Sequence, residues 1–381
     1  MTTVRARQLR DLGQSVWLDY IHRQELVSGH FAAQVRDQGV VGVTSNPTIF
    51  QQALATGDTY DASIERHTGD GHAGPALFER LAVEDIQAAC DQLQRVWQET
   101  GGLDGRVSIE VSPRLARDTA GTLAEARRLH REVGRGNVMV KVPATEAGLP
   151  AITALTAEGV CVNVTLIFSL ARYAQVMEAY LAGLEQRAAR GQALDRIVSV
   201  ASFFVSRVDT KVDKAIEGAL AGLPAADPRR VPLEAARGRA AIANARLAYA
   251  RFREVFGAPR FTALAARGAR VQRPLWASTS TKNPAYPDTL YVDTLIGADT
   301  VNTMPPQTLE AFNDHGTVRL SIGDDLDGAR RLFEQLPGLG VPVETLIAQL
   351  EDEGVAAFAK SYDALLATLE SRRQALAGRA R

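Results

Sequence analysis

The sequence predicts an α/β protein built as a single closed parallel (β/α)8 barrel with additional helices. Eight short apolar segments, most with period-two alternation, are separated by stretches of helical periodicity, and no change in composition marks a boundary between domains. The 381 residues are 46% hydrophobic, which suits one large core, and a barrel with insertions accommodates this length. We therefore expect one domain over residues 1–381, with a C-terminal helical extension over about 343–381.

The predicted strands are short and rich in valine, isoleucine and leucine. They are Ser15–Asp19, Val40–Thr44, Arg106–Ser112, Asn137–Thr145, Val160–Leu166, Ile197–Ala201, Leu275–Ala277 and Thr300–Met304. Alternate side chains of a strand face opposite sides, so the apolar ones pack against outer helices and the polar ones point into the barrel. Pro47 directly follows the second strand and is expected to end regular structure there.

The fourth strand carries a lysine inside an apolar run. Lys141 lies between Val140 and Val142, where its amine has to enter a buried surface. Burial disfavours the charged form of an amine, and a neutral amine is a nucleophile. Only five of the 43 basic residues are lysines, and arginine cannot supply a neutral amine. The alternative is a structural lysine that extends its ammonium to the strand end.

Polar side chains occur late in six of the predicted strands or directly after them. They are Asp19, Asn46, Glu110, Lys141, Asn163, Thr165 and Ser202. The C-terminal ends of the strands form one face of such a barrel, so these side chains should converge. Buried polar groups cost free energy unless they pair with one another or with a ligand. We expect an active site at this face, and a purely structural polar network is the alternative.

The composition argues against several functional classes. A net charge of −1 gives no support for a nucleic-acid or membrane partner. Cys90 and Cys161 lie far apart without metal-ligand spacing, and the acidic stretch 324–327 is more typical of a helix cap than of a metal site. The N-terminus resembles no signal peptide, and no uncharged apolar run reaches about 18 residues, so a cytoplasmic location is expected.

Six motifs, in this order along the chain, resemble those of the transaldolase family in its longer bacterial form. They are Leu18–Asp19, Thr44–Pro47, Ser108–Ser112, Val140–Thr145, Asn163–Phe168 and Ala201–Arg207. The resemblance covers nearly the whole chain and implies a TIM barrel that acts as a transferase. It implies transfer of a dihydroxyacetone unit from sedoheptulose 7-phosphate to glyceraldehyde 3-phosphate in the non-oxidative pentose phosphate pathway, giving erythrose 4-phosphate and fructose 6-phosphate. It also implies that no metal or organic cofactor is required.

The resemblance implies a catalytic role for four residues whose chemistry suits it. Lys141 would attack the C2 carbonyl of the ketose and form a Schiff base. Asp19 would remove the proton of the C4 hydroxyl and later return it. Glu110, with Thr165 holding a water molecule, would handle the water lost and gained at the Schiff base.

Six further residues are expected to bind the substrate. Contacts with the sugar are expected from Asn46, Asn163, Ser202 and Phe204. Arg207, after the sixth strand, offers a planar fork for phosphate oxygens. Lys282, after the seventh strand, stands where many relatives have arginine, so its match to the family pattern is looser.

Two other functions remain open at this stage. One is a Schiff-base aldolase that releases free dihydroxyacetone from fructose 6-phosphate, against which Glu110 and the chain length argue. The other is a non-catalytic barrel that binds sugar phosphates, which has no need for Lys141, Asp19 and Glu110 on inward faces. The expected partners are small sugar phosphates, with no nucleic acid or membrane, and the chain is a monomer or a homodimer.

Overall fold

The computed structural model of the chain describes residues 4–379, in which eight parallel strands close into a barrel. The strands are β1 Gln14–Asp19, β2 Val40–Thr44, β3 Arg106–Glu110, β4 Val138–Pro143, β5 Val162–Ile167, β6 Ser199–Phe204, β7 Gln272–Ala277 and β8 Thr300–Met304. Each strand pairs with the next one in sequence, and β8 pairs with β1. The predicted fold class is confirmed.

Helices occupy most of the chain between and after the strands. In order they are α1 Arg5–Asp11, α2 Arg23–Ser28, α3 His30–Asp37, α4 Pro47–Ala55, α5 Asp61–Gly69, α6 Gly74–Gln92, α7 Gln94–Glu99, α8 Thr119–Val133, α9 Gly148–Glu158, α10 Leu170–Ala189, α11 Ser206–Ala221, α12 Arg230–Ala236, α13 Ala240–Gly257, α14 Pro259–Ala265, α15 Leu290–Thr294, α16 Pro306–His315, α17 Leu326–Gly338 and α18 Val343–Arg379. Within residues 4–379, none of them is long and apolar enough to cross a membrane.

The register of the central strands places polar side chains next to one another. Glu110 of β3 pairs with Lys141 of β4, which in turn pairs with Asn163 of β5. Val140 and Val142 flank Lys141 and are fully buried on the opposite face, against the outer layer. The prediction that Glu110 and Lys141 share the inner face is therefore confirmed.

The prediction that regular structure ends at Pro47 is wrong, because α4 begins there. A proline fits the first helical position, since its missing N–H would have no partner at that position and its φ already suits a helix. Asn46 is the N-cap, and its Oδ1 accepts a hydrogen bond of 3.0 Å from the amide of Ile49. The sixth strand also extends to Phe204, so Ser202 lies within it rather than after it.

The C-terminal helix α18 passes over the C-terminal ends of the strands. It packs against α4 and contacts the end of β5 near Gly354, where an added Cβ would lie 3.1 Å from Leu166 Cδ2 and 3.3 Å from the Phe168 ring. A glycine in the middle of a helix is destabilising, so its presence fits the need for this close approach. The helix therefore forms one wall of the space above the barrel.

The opposite end of the barrel is closed by a buried ion pair. Arg273 of β7 lies 2.9 Å from Asp104, and Ser15 and Trp17 of β1 also donate hydrogen bonds to this carboxylate, at 2.7 and 3.2 Å. Gly42 leaves room for the indole, because an added Cβ would lie 2.6 Å from the Trp17 ring. This end is filled by side chains that bind one another.

Candidate active site

A cavity of about 500 Å³ lies at the C-terminal ends of the strands, under α18. Eight of the ten predicted site residues line it: Asp19, Asn46, Lys141, Thr165, Ser202, Phe204, Arg207 and Lys282. Glu110 contacts Lys141 at the cavity edge, whereas Asn163 lies beneath the cavity. The structure thus brings the predicted residues to one place, as expected from inward alternation along parallel strands.

The amine of Lys141 is buried, with 4% of the residue exposed. Its Nζ donates a hydrogen bond of 3.1 Å to the carbonyl oxygen of Ser45 and lies 3.6 Å from Glu110 Oε2. Ser45 is fixed in turn, because its hydroxyl donates to the carbonyl of Ser108 at 2.9 Å. The ring of Phe358 from α18 is 5.7 Å from the same nitrogen. The amine is thus held by three neighbours inside the cavity.

Glu110 ends β3 and carries a carboxyl group that can change protonation near neutral pH. Burial raises the pKa of Glu110 to about 7, and the neighbouring Lys141 opposes this rise. Among the described residues, its Oε2 is buried without a hydrogen-bond partner. A carboxyl group with such a pKa, beside an amine, suits general acid–base catalysis.

Asp19 ends β1 and faces the cavity across from Lys141. Its Oδ1 accepts a hydrogen bond of 2.8 Å from the Thr44 hydroxyl, which is itself 2.7 Å from the hydroxyl of Thr303. Burial raises the pKa of Asp19, while the charge of Lys141 and the Thr44 hydrogen bond lower it. The carboxylate is therefore oriented by Thr44 and is more basic than it would be in water.

Polar side chains of β5 and β6 form the floor of the cavity. Asn163 Nδ2 donates to Ser108 Oγ at 3.0 Å, and its Oδ1 accepts from Ser202 Oγ at 2.7 Å. Thr165 Oγ1 is buried and has no hydrogen-bond partner among the described residues. The Asn163 amide thus orients Ser202 from below, and its predicted direct contact with substrate stays a prediction.

Two cations lie at the end of the cavity formed by the loops after β6 and β7. Arg207, in the first turn of α11, lies 5.7 Å from the centroid of the Phe204 ring. Lys282 is exposed, and its Nζ donates to the hydroxyl of Ser280 at 2.8 Å. A planar guanidinium and a mobile ammonium at one end of a polar cavity suit an anionic group such as phosphate.

Sequence reasoning missed four residues that complete the cavity. Thr44 and Ser45 lie inside a motif that was recognised, but only the fold shows that Thr44 orients Asp19 and that Ser45 binds Lys141 through its backbone. Thr303 is the second-last residue of β8 and lay within a predicted strand. Phe358 had no signal, since a phenylalanine in an alanine- and leucine-rich helix is ordinarily a packing residue.

A second cavity of about 330 Å³ lies beside the first, between the end of β3 and helices α4, α6, α8 and α18. Asn46 and Glu110 line it, together with an aromatic cluster. In that cluster, the rings of Phe50 and Phe78 are 5.4 Å apart, and Phe78 and Tyr362 are 5.8 Å apart. Helix α18 therefore contributes Phe358 to the first cavity and Tyr362 to its neighbour.

The acidic stretch 324–327 caps a helix, as predicted. Asp325 precedes α17, and its Oδ1 accepts a hydrogen bond of 3.0 Å from the amide of Gly328. Cys90 and Cys161 are both buried free thiols. No group of three or more histidine, cysteine, aspartate or glutamate side chains within residues 4–379 is arranged to hold a metal ion.

Comparisons with known proteins agree on one family. The family model described as transaldolase/fructose-6-phosphate aldolase matches residues 16–369. The chain is 52% identical over 364 residues to a transaldolase of Thermobifida fusca, which covers 94% of this chain and 96% of that protein. It is 50% identical over 359 residues to a transaldolase of Mycolicibacterium paratuberculosis and 49% identical over 359 residues to one of Mycobacterium tuberculosis, with 93% of each chain covered.

Proposed function

The chain belongs to the transaldolase/fructose-6-phosphate aldolase family, and from this premise we propose that it transfers a dihydroxyacetone unit through a Schiff base on Lys141. Its activity is that of a transaldolase, which is a transferase. The proposed donor is sedoheptulose 7-phosphate and the acceptor glyceraldehyde 3-phosphate, giving erythrose 4-phosphate and fructose 6-phosphate. The observation that carries the proposal is a buried lysine amine 3.6 Å from Glu110, in a cavity that Asp19 also lines.

Lys141 supplies the nucleophile of the first step. Its amine adds to the C2 carbonyl of the ketose, and the carbinolamine loses one water molecule to give the Schiff base. Glu110 donates the proton with which the C2 hydroxyl leaves as water, a role supported by its pKa of about 7 and its position beside the amine. The unpartnered hydroxyl of Thr165 supports its role in holding that water.

Carbon–carbon cleavage follows from the electron demand of the protonated Schiff base. Asp19 removes the proton of the C4 hydroxyl, the C3–C4 bond breaks, and C4 becomes the carbonyl carbon of the released aldose phosphate. The electron pair of the broken bond moves into the Schiff base, which becomes a neutral enamine of dihydroxyacetone on Lys141. The raised pKa of Asp19 and its hydrogen bond from Thr44 support its role as the base.

Transfer repeats these steps in reverse with a different aldehyde. The enamine C3 attacks the aldehyde carbon of the acceptor, and the proton held by Asp19 passes to the aldehyde oxygen. Water then adds at C2, the carbon–nitrogen bond breaks, and the new ketose phosphate leaves a free Lys141 amine. Both half-reactions therefore use the same groups, as microscopic reversibility requires.

The remaining predicted residues position the substrate in this proposal. Asn46 is fixed as the cap of α4, and Ser202 is oriented by Asn163, so both present polar groups in defined directions. Arg207 and Lys282 bind the phosphate at the far end of the cavity, which sets the distance between C2 and the phosphate group.

Transfer, rather than release of free dihydroxyacetone, is supported by the relatives, which are transaldolases at about half identity over nearly the full chain. The test is a coupled assay of fructose 6-phosphate cleavage with and without erythrose 4-phosphate as acceptor. We expect turnover to depend on the acceptor and sedoheptulose 7-phosphate to form. Rapid turnover without acceptor, with stoichiometric free dihydroxyacetone, would contradict the proposal, and a Lys141→Ala variant is the blank.

The organisation of the whole chain follows the same proposal. The described residues 4–379 form one domain, with the helical extension from about residue 343 as part of the active-site enclosure. This is supported by the way α18 contacts α4 and the end of β5. The enzyme acts in the cytoplasm, in the non-oxidative pentose phosphate pathway.

A further inference from the structure

Helix α18 inserts one aromatic ring into the catalytic cavity. Phe358 is 7% exposed, and its ring centroid lies 5.7 Å from Lys141 Nζ and 6.5 Å from the centroid of Phe204. The same nitrogen contacts the Ser45 carbonyl and the Glu110 carboxyl. Phe358 therefore supplies an apolar surface next to the atom on which the intermediate is carried.

The position of the ring is set by close contact between α18 and β5. Gly354 is one helical turn before Phe358, and it is the residue at which the helix touches Leu166 and Phe168. Leu166 itself has a positive φ of 62°, an uncommon conformation for a leucine. Both partners of the contact are locally unfavourable, since one is a glycine inside a helix and the other a leucine with a positive φ. This indicates that the distance between α18 and the barrel is constrained.

Ion pairs hold α18 over the strand ends from several directions. They join it to α10, α11, the short turn and loop before α8, and α5 through Arg172–Glu351, Lys211–Glu353, Arg114–Asp363, Arg117–Asp352 and Arg372–Asp61. The Arg172–Glu351 and Arg372–Asp61 pairs are largely buried, so solvent screens them less than the others. Because α18 is attached on opposite sides, its inward-facing residue Phe358 is held at a fixed place.

We propose that Phe358 is the residue that directs the dihydroxyacetone enamine toward an aldehyde acceptor by keeping water away from Lys141. This inference rests on the proposed function and makes Phe358 a specificity-determining residue. The ring occupies space beside the lysine nitrogen, and an apolar ring offers water no hydrogen bond. In its absence, solvent enters between α18 and the lysine.

Two reactions compete for the same intermediate. In transfer, C3 of the enamine forms a bond to the aldehyde carbon, and the aldehyde oxygen takes the proton from Asp19. In release, C3 takes a proton from water instead, hydroxide adds at C2, and the carbon–nitrogen bond breaks with return of a proton to nitrogen. Release thus consumes one water molecule and yields free dihydroxyacetone and the Lys141 amine. Only release needs a proton donor from solvent at C3.

Tyr362 provides a matched control on the same helix. It lies one turn after Phe358 and is also a buried aromatic residue, but it lines the second cavity. Replacing it removes comparable packing between α18 and the barrel while the catalytic cavity keeps its wall. An effect of Phe358 through general loosening of the helix would therefore appear in both variants, and an effect through water exclusion in only one.

The test compares Phe358→Ala, Phe358→Leu and Tyr362→Ala in the full chain. Fructose 6-phosphate is supplied with erythrose 4-phosphate, and free dihydroxyacetone and sedoheptulose 7-phosphate are both quantified. We expect the ratio of release to transfer to rise about tenfold in Phe358→Ala, less in Phe358→Leu, and not in Tyr362→Ala. In D₂O, the extra dihydroxyacetone should carry one deuterium on carbon, which identifies solvent as the proton source.

The outcomes separate this inference from the proposed function. A Phe358→Ala enzyme that is folded and forms a borohydride-trapped Lys141 adduct, yet keeps the wild-type ratio, overturns the inference. An equal rise in Tyr362→Ala overturns it too, because helix loosening then explains the effect. If the alanine variant does not fold, the ratio of release to transfer in Phe358→Leu is the test, and an unchanged ratio there overturns the inference. The absence of any adduct in the wild-type enzyme would instead contradict the proposed function itself.

Discussion

Two buried carboxyl groups lie at the two ends of β3, one at each end of the barrel, and they differ in how completely they are hydrogen-bonded. Asp104 precedes the strand and accepts hydrogen bonds from Ser15, Trp17 and Arg273. Glu110 ends the strand, and its Oε2 has no hydrogen-bond partner among the described residues although it lies 3.6 Å from Lys141. A carboxylate that is fully paired stabilises a fold, whereas one left partly unpaired keeps its capacity for proton transfer.

The two ends also differ in how the space beside these carboxyl groups is filled. At the closed end, the indole of Trp17 fills the space that Gly42 leaves. At the open end, the hydroxyl of Thr165 is buried without a partner and faces a cavity of about 500 Å³. Unsatisfied groups that line an open volume are costly for stability, and a ligand satisfies them. The barrel therefore has a structural end and a chemical end, as parallel barrels generally do.

The largest effect is expected from Lys141→Arg, which keeps the charge beside Glu110 but removes the neutral amine. We expect kcat to fall by at least about 10⁴-fold, because a guanidinium cannot form the Schiff base and the exposed amine of Lys282 lies beside Ser280 rather than Glu110. The coupled transfer assay measures this loss. A Lys214→Arg variant, which changes an exposed lysine on α11 outside the cavity lining, serves as the control and should retain activity. Substantial turnover in Lys141→Arg would place the nucleophile elsewhere.

Exchanging an acid for an amide at each end should separate stability from catalysis. Asp104→Asn leaves the buried Arg273 charge without its partner, so we expect a loss of about 3 to 5 kcal/mol in the free energy of unfolding. Glu110→Gln should instead lower kcat by about 10²- to 10⁴-fold, since an amide cannot exchange a proton. Urea denaturation and the transfer assay on both variants test this difference. A large loss of stability in Glu110→Gln together with a large loss of kcat in a folded Asp104→Asn would contradict it.

The raised pKa of Glu110 should also make the stability of the protein depend on pH. The raised pKa of Glu110 means that the folded protein holds a proton between pH 4.5 and about 7 that the unfolded chain has released. Its contribution to stability is therefore present below pH 4.5 and is lost as the pH rises toward 7. Relative to Glu110→Gln, the wild type should lose on the order of 3 kcal/mol of unfolding free energy between pH 4.5 and 8. Parallel profiles for the two proteins would contradict the raised pKa.

The smallest effect is expected at the phosphate end. Lys282 is exposed, and in its proposed role Lys282→Met removes one charged hydrogen bond to phosphate. We expect KM for fructose 6-phosphate to rise roughly tenfold with little change in kcat, because the contact is the same in the ground and transition states. Steady-state kinetics provides the measurement, with Lys214→Met on α11 as the matched control. A drop in kcat alone would give Lys282 a part in the chemistry.

The chemical end of the barrel was easier to predict from the sequence than the structural end. Period-two alternation is a local property, and it placed Glu110 and Lys141 on one face without knowledge of the fold. The pairing of Asp104 with Arg273 joins residues far apart in the chain, and no local pattern indicates it. Phe358 was missed for the same reason, since only the path of α18 brings it to Lys141.

Local reasoning also misjudged one boundary. Pro47 is equally compatible with the end of a strand and with the first turn of a helix, and the prediction took the first possibility alone. The side chain of Asn46 caps α4, and Pro47 is therefore the first residue of a helix. The capping geometry also explains why Asn46 has one fixed orientation toward the cavity, which the sequence alone does not indicate.

The most direct test of the central claim is to locate the covalent intermediate. The protein is incubated with fructose 6-phosphate and borohydride, which reduces a Schiff base to a stable amine, and the adduct is mapped by peptide mass. We expect a single dihydroxyacetone-sized addition on the peptide that contains Lys141, and none in Lys141→Arg. An adduct on Lys282, or no adduct in a folded protein, would contradict it.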